Sequence, residues 1–200
     1  VTVTVEIVEL KMYVYKLTLD IEVTEPLEAW TQVGDDIDGS GGPQRLGYSV
    51  SMNTDGTRMA VGAPKASKEE TSNYYGGYLR VYQYDQLKIP RWQQMGPDDI
   101  IGSGNDENRG TMVSMSGDGT RVASNGAVPF EALVKVHEWN SDSQTWTPMS
   151  GSFTTAFAIS MSRDGKRLAV VKYGNPGYDV IVSEVDSGGT WSQVGSKMNF

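Results

Sequence analysis

The sequence predicts an all-β chain of repeated four-stranded antiparallel blades, and three observations carry that prediction. One word is written three times: SMNTDGTRMAVGAP at 51–64, SMSGDGTRVASNGA at 114–127 and SMSRDGKRLAVVKY at 160–173. A second word begins at Trp30, Trp92, Trp146 and Trp191, at intervals of roughly 45–60 residues, the size of a propeller blade rather than of a helical repeat. Between these words apolar residues alternate with period two, the pattern of a strand with two different faces, and no stretch pairs a helical period with caps.

The first element is the segment 1–25, rich in Val, Thr, Ile and Leu. Its apolar alternation changes phase twice, which predicts bulges or separate strands rather than one long strand. It is either a partial blade, with KMYVYKLTLD as a third strand and Trp30 opening the fourth, or a piece of a neighbouring domain. The repeats proper occupy 26–200, with full units at about 47–96, 110–150 and 153–195. In the first of these, LGYSVSMN is strand one and TRMAVGA strand two. GYLRVYQYD is strand three, with Leu79, Val81 and Gln83 on one side and Arg80, Tyr82 and Tyr84 on the other; RWQQMG is strand four. ALVKVHEWN and TWTPMS repeat strands three and four in the next unit, and YDVIVSEVD and TWSQVG do so in the last. Four short strands per repeat, with Gly and Asp at the turns, make one blade of a β-propeller.

The threefold word matches in six columns: Ser, Met, Asp, Gly, Arg and Ala. The pattern W-x-Q-x-G-x-D-I-x-G, then G-x-S-V-S-x-x-x-D-G-x-R-x-A-V-G-A-P, then G-x-L-x-V-Y, resembles the FG-GAP-like repeats of integrin-α-type propellers. The resemblance covers about residues 30–200 and is best over Gly47–Trp92; the last unit reads VVKYG in place of the G-A-P ending. It implies three full blades plus a partial N-terminal one, belonging to a larger propeller. It also implies a non-enzymatic scaffold for protein–protein or adhesive contacts, outside the cell or at its surface. Three blades leave two apolar faces open, so either four blades close within this chain, or a larger ring, a second chain, or assembly through blade edges into a filament or complex is expected to cover them. A carbohydrate-binding propeller is the remaining alternative.

Composition narrows the partners. The net charge is −8, which repels phosphate backbones and anionic lipid, so nucleic acid and anionic membranes are not expected partners. The chain has no cysteine, which removes disulfides, thiolate metal sites and thiol catalysis. No apolar run reaches the length needed to cross a bilayer as a helix.

Site chemistry is sparse. In relatives of the resembled family some hairpins bind calcium through a D-x-D-x-D-G-x-x-D-like loop. Calcium wants six to eight oxygen ligands, and Asp55, Asp118 and Asp164 each stand alone before their Gly, with an Arg three residues on. A tight turn explains them better, and no cofactor is expected. The denser acidic words offer Asp35, Asp36, Asp38, Asp98 and Asp99 as weak metal candidates. The recurrent tryptophans read as packing between blades. The only histidine, His137, lies in a strand, and no nucleophile motif accompanies it, so no catalytic residue is assigned. The least repeat-like stretch is KASKEETSNYYGG at 65–77, an insertion that offers Lys68, Glu69, Asn73, Tyr74 and Tyr75 as contacts for a protein partner.

Overall fold

The computed structural model describes residues 2–3, 21–22, 30–39, 44–66, 76–102, 108–126, 134–151, 153, 156–174 and 177–199. Among them there is no helix. The chain divides into two compact units, Val1–Val33 and Gly34–Phe200. In the first, β1 (Thr2–Val3) pairs antiparallel with β2 (Ile21–Glu22). The expected third strand, KMYVYKLTLD, lies outside the described residues. Trp30 does not open a fourth strand. Residues 30–39 carry no strand, and the indole is fully exposed.

The second unit holds three blades. The first runs β3 (Ser49–Met52), β4 (Arg58–Ala63), β5 (Tyr78–Tyr84) and β6 (Trp92–Gln94), in that spatial order. Then β7 (Ile100–Ile101) returns to pair with the start of β5. The second blade is β8 (Met112–Met115), β9 (Arg121–Asn125), β10 (Lys135–Asn140) and β11 (Thr145–Pro148). β12 (Ser150–Gly151) leaves it and runs parallel to the outer strand of the third. That blade is β13 (Ala158–Met161), β14 (Arg167–Tyr173), β15 (Tyr178–Val185) and β16 (Thr190–Gln193). β17 (Met198–Asn199) pairs with the start of β15, as β7 does with β5. The four strand assignments per unit read from the sequence match these sheets.

Strand pairing sorts each blade into two faces. Ser51, Ala60 and Val81 are cross-strand neighbours, and with Leu79 they form a forward face. Met52 and Met59 are paired on the opposite, rear face. The rear face of the second blade, with Met115 and Val122, packs on Ala60, Leu79 and Val81. The rear face of the third, with Met161, Leu168 and Val170, packs on Ala123, Val134 and Val136. The small alanine column explains the fit: a methyl on the forward face leaves room for the long methionine of the next blade. Burying each of the Val, Leu and Met side chains contributes roughly 1.5–3 kcal/mol, and each Ala methyl roughly 0.8, so the seams are the hydrophobic core.

Of the four recurrent tryptophans, Trp146 and Trp191 complete the seams; Trp30 is exposed, and Trp92 lies against Tyr84 of its own blade with ring centroids 5.4 Å apart. Trp146 leans against Trp139 with ring centroids 5.3 Å apart, beside the cluster that holds Met95 and Ile100 of the first blade. Trp191 is buried against Met149 of the second blade, its Nε1–H directed at the Met149 sulfur. At one point the backbones of the first two blades touch. A Cβ on Gly62 would lie 2.1 Å from the Gly110 carbonyl oxygen, and Gly110 itself has φ +88°.

Candidate functional site

The Asp-Gly turns sit at one end of the blades. Gly56, Gly119 and Gly165 have φ of 73°, 68° and 66°, a conformation glycine adopts without a Cβ penalty. Each aspartate closes its own turn. Asp55 Oδ1 accepts from Thr57 N at 2.9 Å and from Thr57 Oγ1 at 2.6 Å. Asp118 Oδ1 accepts from Ser116 Oγ, Thr120 N and Thr120 Oγ1. Asp164 Oδ1 accepts from Ser162 Oγ and Lys166 N. Burial works against ionisation of Asp118, but the bonds from Ser116 and Thr120 outweigh it and its pKa falls. Hydrogen bonds likewise lower Asp55 and Asp164, led by Thr57 and by Ser162 respectively. These carboxylates are acceptors in their own turns, not the converging ligands of a cation cage.

Other residues of the word face the neighbouring blades: Ser and Arg the next one, Met the one before. Met115 N donates to Ser51 Oγ at 3.0 Å, and Met161 N donates to Ser114 Oγ at 2.9 Å. Thr54 N donates to the Gly117 carbonyl, and Gly117 N to the Arg163 carbonyl, so the three turns form a ladder. Arg58 Nη1 donates to Gly119 O, and Arg121 Nη1 donates to Gly165 O. Arg121 also pairs with Glu138 at 2.8 Å and Arg167 with Glu184 at 3.2 Å, both within one blade. The repeated word is therefore a seam code, and sequence reading missed this use of Ser and Arg. Its signal was the repetition itself at positions that no single blade requires.

The acidic candidates stand apart. Asp35 Oδ2 accepts from Arg91 N. Asp99 binds Arg80 through both oxygens, at 2.6 and 2.9 Å, and also accepts from Gln94 Nε2. Arg80 is held charged by this bond and lies 4.6 Å from the Tyr78 ring centroid. Asp36, Asp38 and Asp98 are exposed. Among the described residues no three histidines or carboxylates gather closely enough to hold a metal ion.

Two hollows lie on the seam between the first and second blades. A broad polar groove of about 850 Å³ is lined by Arg58, Gln83, Gln94, Trp139 and Gln144 among others. A smaller cleft of about 190 Å³ is bounded by Asp98, Asp99, His137 and Trp146. His137 is 9% exposed. Burial, then the charges of Arg109 and Lys135, depress its pKa to about 4, so it is neutral and a weak base. Arg109 is fully buried, donates from Nη1 to Ser124 O at 2.9 Å, and is itself lowered to about 10 by desolvation. Nothing in the sequence pattern pointed to Arg109, which sits outside the repeated word.

Lys68, Glu69, Asn73, Tyr74 and Tyr75 lie outside the described residues. The base of their insertion is described. Gly77 N donates to Ala66 O at 3.0 Å, closing the two ends together. Arg109 N donates to Gly76 O at 2.8 Å, and Lys65 Nζ donates to Asn108 Oδ1 at 2.9 Å. Both ends of the insertion are thus anchored on the second blade.

No protein-family model and no curated protein matches this sequence. Solved structures do resemble it. Sqt1 from Saccharomyces cerevisiae superposes with a TM-score of 0.52 at 10% identity, over 78% of this chain and 36% of that one. The periplasmic gluconolactonase PpgL of Pseudomonas aeruginosa gives 0.45 at 13% identity, over 82% and 59%. TolB from Acinetobacter baumannii gives 0.41 at 18%, over 78% and 33%. The chain spans less than two thirds of the length of each. The likeness to Sqt1 concerns the fold alone, which is that of β-propeller blades.

Proposed function

We propose that the chain is a non-enzymatic, FG-GAP-like propeller scaffold that presents the 65–77 insertion to a protein partner outside the cell or at its surface. The observation that carries this reading is the anchored base of that insertion: Gly77 to Ala66, and Arg109 to Gly76. A loop whose ends are fixed to a rigid sheet loses less entropy on binding, which favours recognition. Two further facts support the reading. Trp139, Trp146 and Trp191 are engaged in seams, so their rings are not free platforms for a sugar. His137 is buried and neutral beside two cations, which suits packing better than proton transfer.

The test is panning of a displayed peptide library on the immobilised chain, followed by affinity measurement. Tyr74→Ala and Tyr75→Ala are expected to weaken the selected peptides about tenfold or more. Unchanged affinity for both variants overturns the assignment of the insertion.

A further inference from the structure

The smaller cleft on the first seam has an unfinished wall. It holds about 190 Å³ between the turn that follows β6 and the rear face of β10 and β11. His137 is the cross-strand neighbour of Val122, so it faces the first blade. Trp146 shares that face, diagonally across, because its direct partner is Trp139. His137 is 9% exposed, and among the described residues its buried Nδ1 has no hydrogen-bond partner. The buried Nε1–H of Trp146 has none either. Polar groups so enclosed are ordinarily satisfied by protein, water or a ligand. Positive charge stands behind them. Arg109 Nη1 donates to Ser124 O, Ser124 is the cross-strand partner of Lys135, and Lys135 precedes His137 by two residues on the same face. Burial, then these two charges, keeps the imidazole neutral. Asp99 does not offset them, since both its oxygens are bound to Arg80. Asp98, the other carboxylate on the cleft, is exposed.

We propose that this cleft binds the carboxylate of a small aliphatic monocarboxylic acid, Trp146 Nε1–H and His137 Nδ1–H donating to its oxygens. An indole N–H can only donate, and a neutral imidazole carries one N–H that the Nδ1 tautomer directs to the same ligand. A carboxylate only accepts, so it answers both donors at once, and charge-assisted bonds of this kind are the stronger ones. Arg109 and Lys135 favour an anion and oppose a cation. A neutral polyol offers acceptors too but gains nothing from those charges. Asp98 repels a second negative charge on the solvent side, which selects monocarboxylates over dicarboxylates. The rest of the wall includes Pro97, Ile100 and Ile101, an apolar bed for a short alkyl chain. The site goes beyond the scaffold reading and does not depend on the insertion.

The experiment is NMR titration of the whole chain with butyrate at pH 7. The sequence has one histidine, so its imidazole signal is unambiguous, and Trp146→Phe assigns the Trp146 indole N–H signal. Butyrate is expected to shift both signals together, saturating on the order of millimolar as befits so few ligand atoms, and to leave the exposed Trp30 indole unmoved. In saturating butyrate the His137 titration midpoint is expected to rise, because an anion seated against the ring favours its protonated form. Succinate is expected to bind more weakly, and glucose, butylamine and inorganic phosphate to shift neither signal. Trp146→Phe, which keeps a ring but no N–H, is expected to weaken butyrate about tenfold, read at His137. Asp98→Asn, at an exposed site that leaves folding intact, is expected to tighten butyrate about twofold and to narrow the gap to succinate. Static signals under butyrate, an equal response to glucose or butylamine, displacement of butyrate by phosphate, or weaker butyrate binding by Asp98→Asn would overturn the proposal.

Discussion

Ser114 Oγ accepts a hydrogen bond from Met161 N at 2.9 Å across a blade boundary, and Ser51 makes the same contact with Met115 N. A side-chain oxygen on one sheet thus completes the backbone of the next. Ser114→Ala leaves the Met161 amide without that acceptor in a buried seam, at a cost of about 1–3 kcal/mol. For a chain of this size that lowers Tm by about 2–4 °C per kcal/mol. Ser160→Ala is expected to change stability by less than about 0.5 kcal/mol, as an exposed site should. Thermal denaturation of the two variants checks the contrast.

Gly110→Ala places a Cβ 2.3 Å from the Tyr78 carbonyl oxygen and 2.9 Å from Ala63 N, at a φ of +88°. Both obstacles are backbone and cannot rotate away. The expected cost is at least about 2 kcal/mol, from strain and from parting the first seam. Urea unfolding should show a lower midpoint, and an unchanged midpoint would mean the two backbones separate easily.

His137 sets a pH dependence. Its folded pKa is about 4 against an ordinary 6.5. Between those values the unfolded chain binds a proton that the folded chain refuses, so stability is full above about 6.5 and falls as pH drops toward 4. Because the sequence has one histidine, its imidazole proton resonance can be followed alone by NMR. A titration midpoint near 6.5 would contradict the burial, and His137→Gln is expected to flatten the slope of stability against pH over that window.

Asp118 acts in the same direction at lower pH. Its folded pKa lies below 3.8, so its contribution is present above 3.8 and is lost as pH falls through the folded value. Asp118→Ala removes the acceptor of Ser116 and Thr120 and is expected to lower Tm at pH 7. Added calcium is expected to leave the Tm of the unaltered chain unchanged; a calcium-dependent rise would restore the metal reading.

Arg121 and Arg167 occupy the same column with different partners. Arg121 spans to Gly165 O and pairs with Glu138, its side chain 21% exposed, whereas Arg167 is 63% exposed and, among the described residues, its side chain holds only Glu184. Arg121→Met should cost about 1–2 kcal/mol. Arg167→Met should cost less than about 0.5 kcal/mol, because an exposed ion pair is weak. Chemical denaturation distinguishes the two.

The strands were legible because alternation and Asp-Gly turns are local signals, and three copies of one word made them redundant. Which face meets which neighbour was not local. Ser51 and Met115 are distant in sequence, and either face of a strand bearing both Val50 and Ser51 reads as buried. Arg121 pairs with Glu138, but its reach to the Gly165 carbonyl depends on how two turns stack, which composition does not encode. Trp30 shared the motif of Trp92 without sharing its strand, because one repeated word does not by itself fix a strand. Arg109 stayed hidden because a single buried cation leaves no periodic trace.

The ladder from Thr54 to Gly117 to Arg163 has a bearing on how such a chain is inherited. Every junction uses the same donor, acceptor and methyl, so duplication of one coding segment yields a new unit already fitted to both neighbours. Length can then change by whole repeats without inventing a surface, while a point mutation in the word injures a single junction and leaves the others to hold.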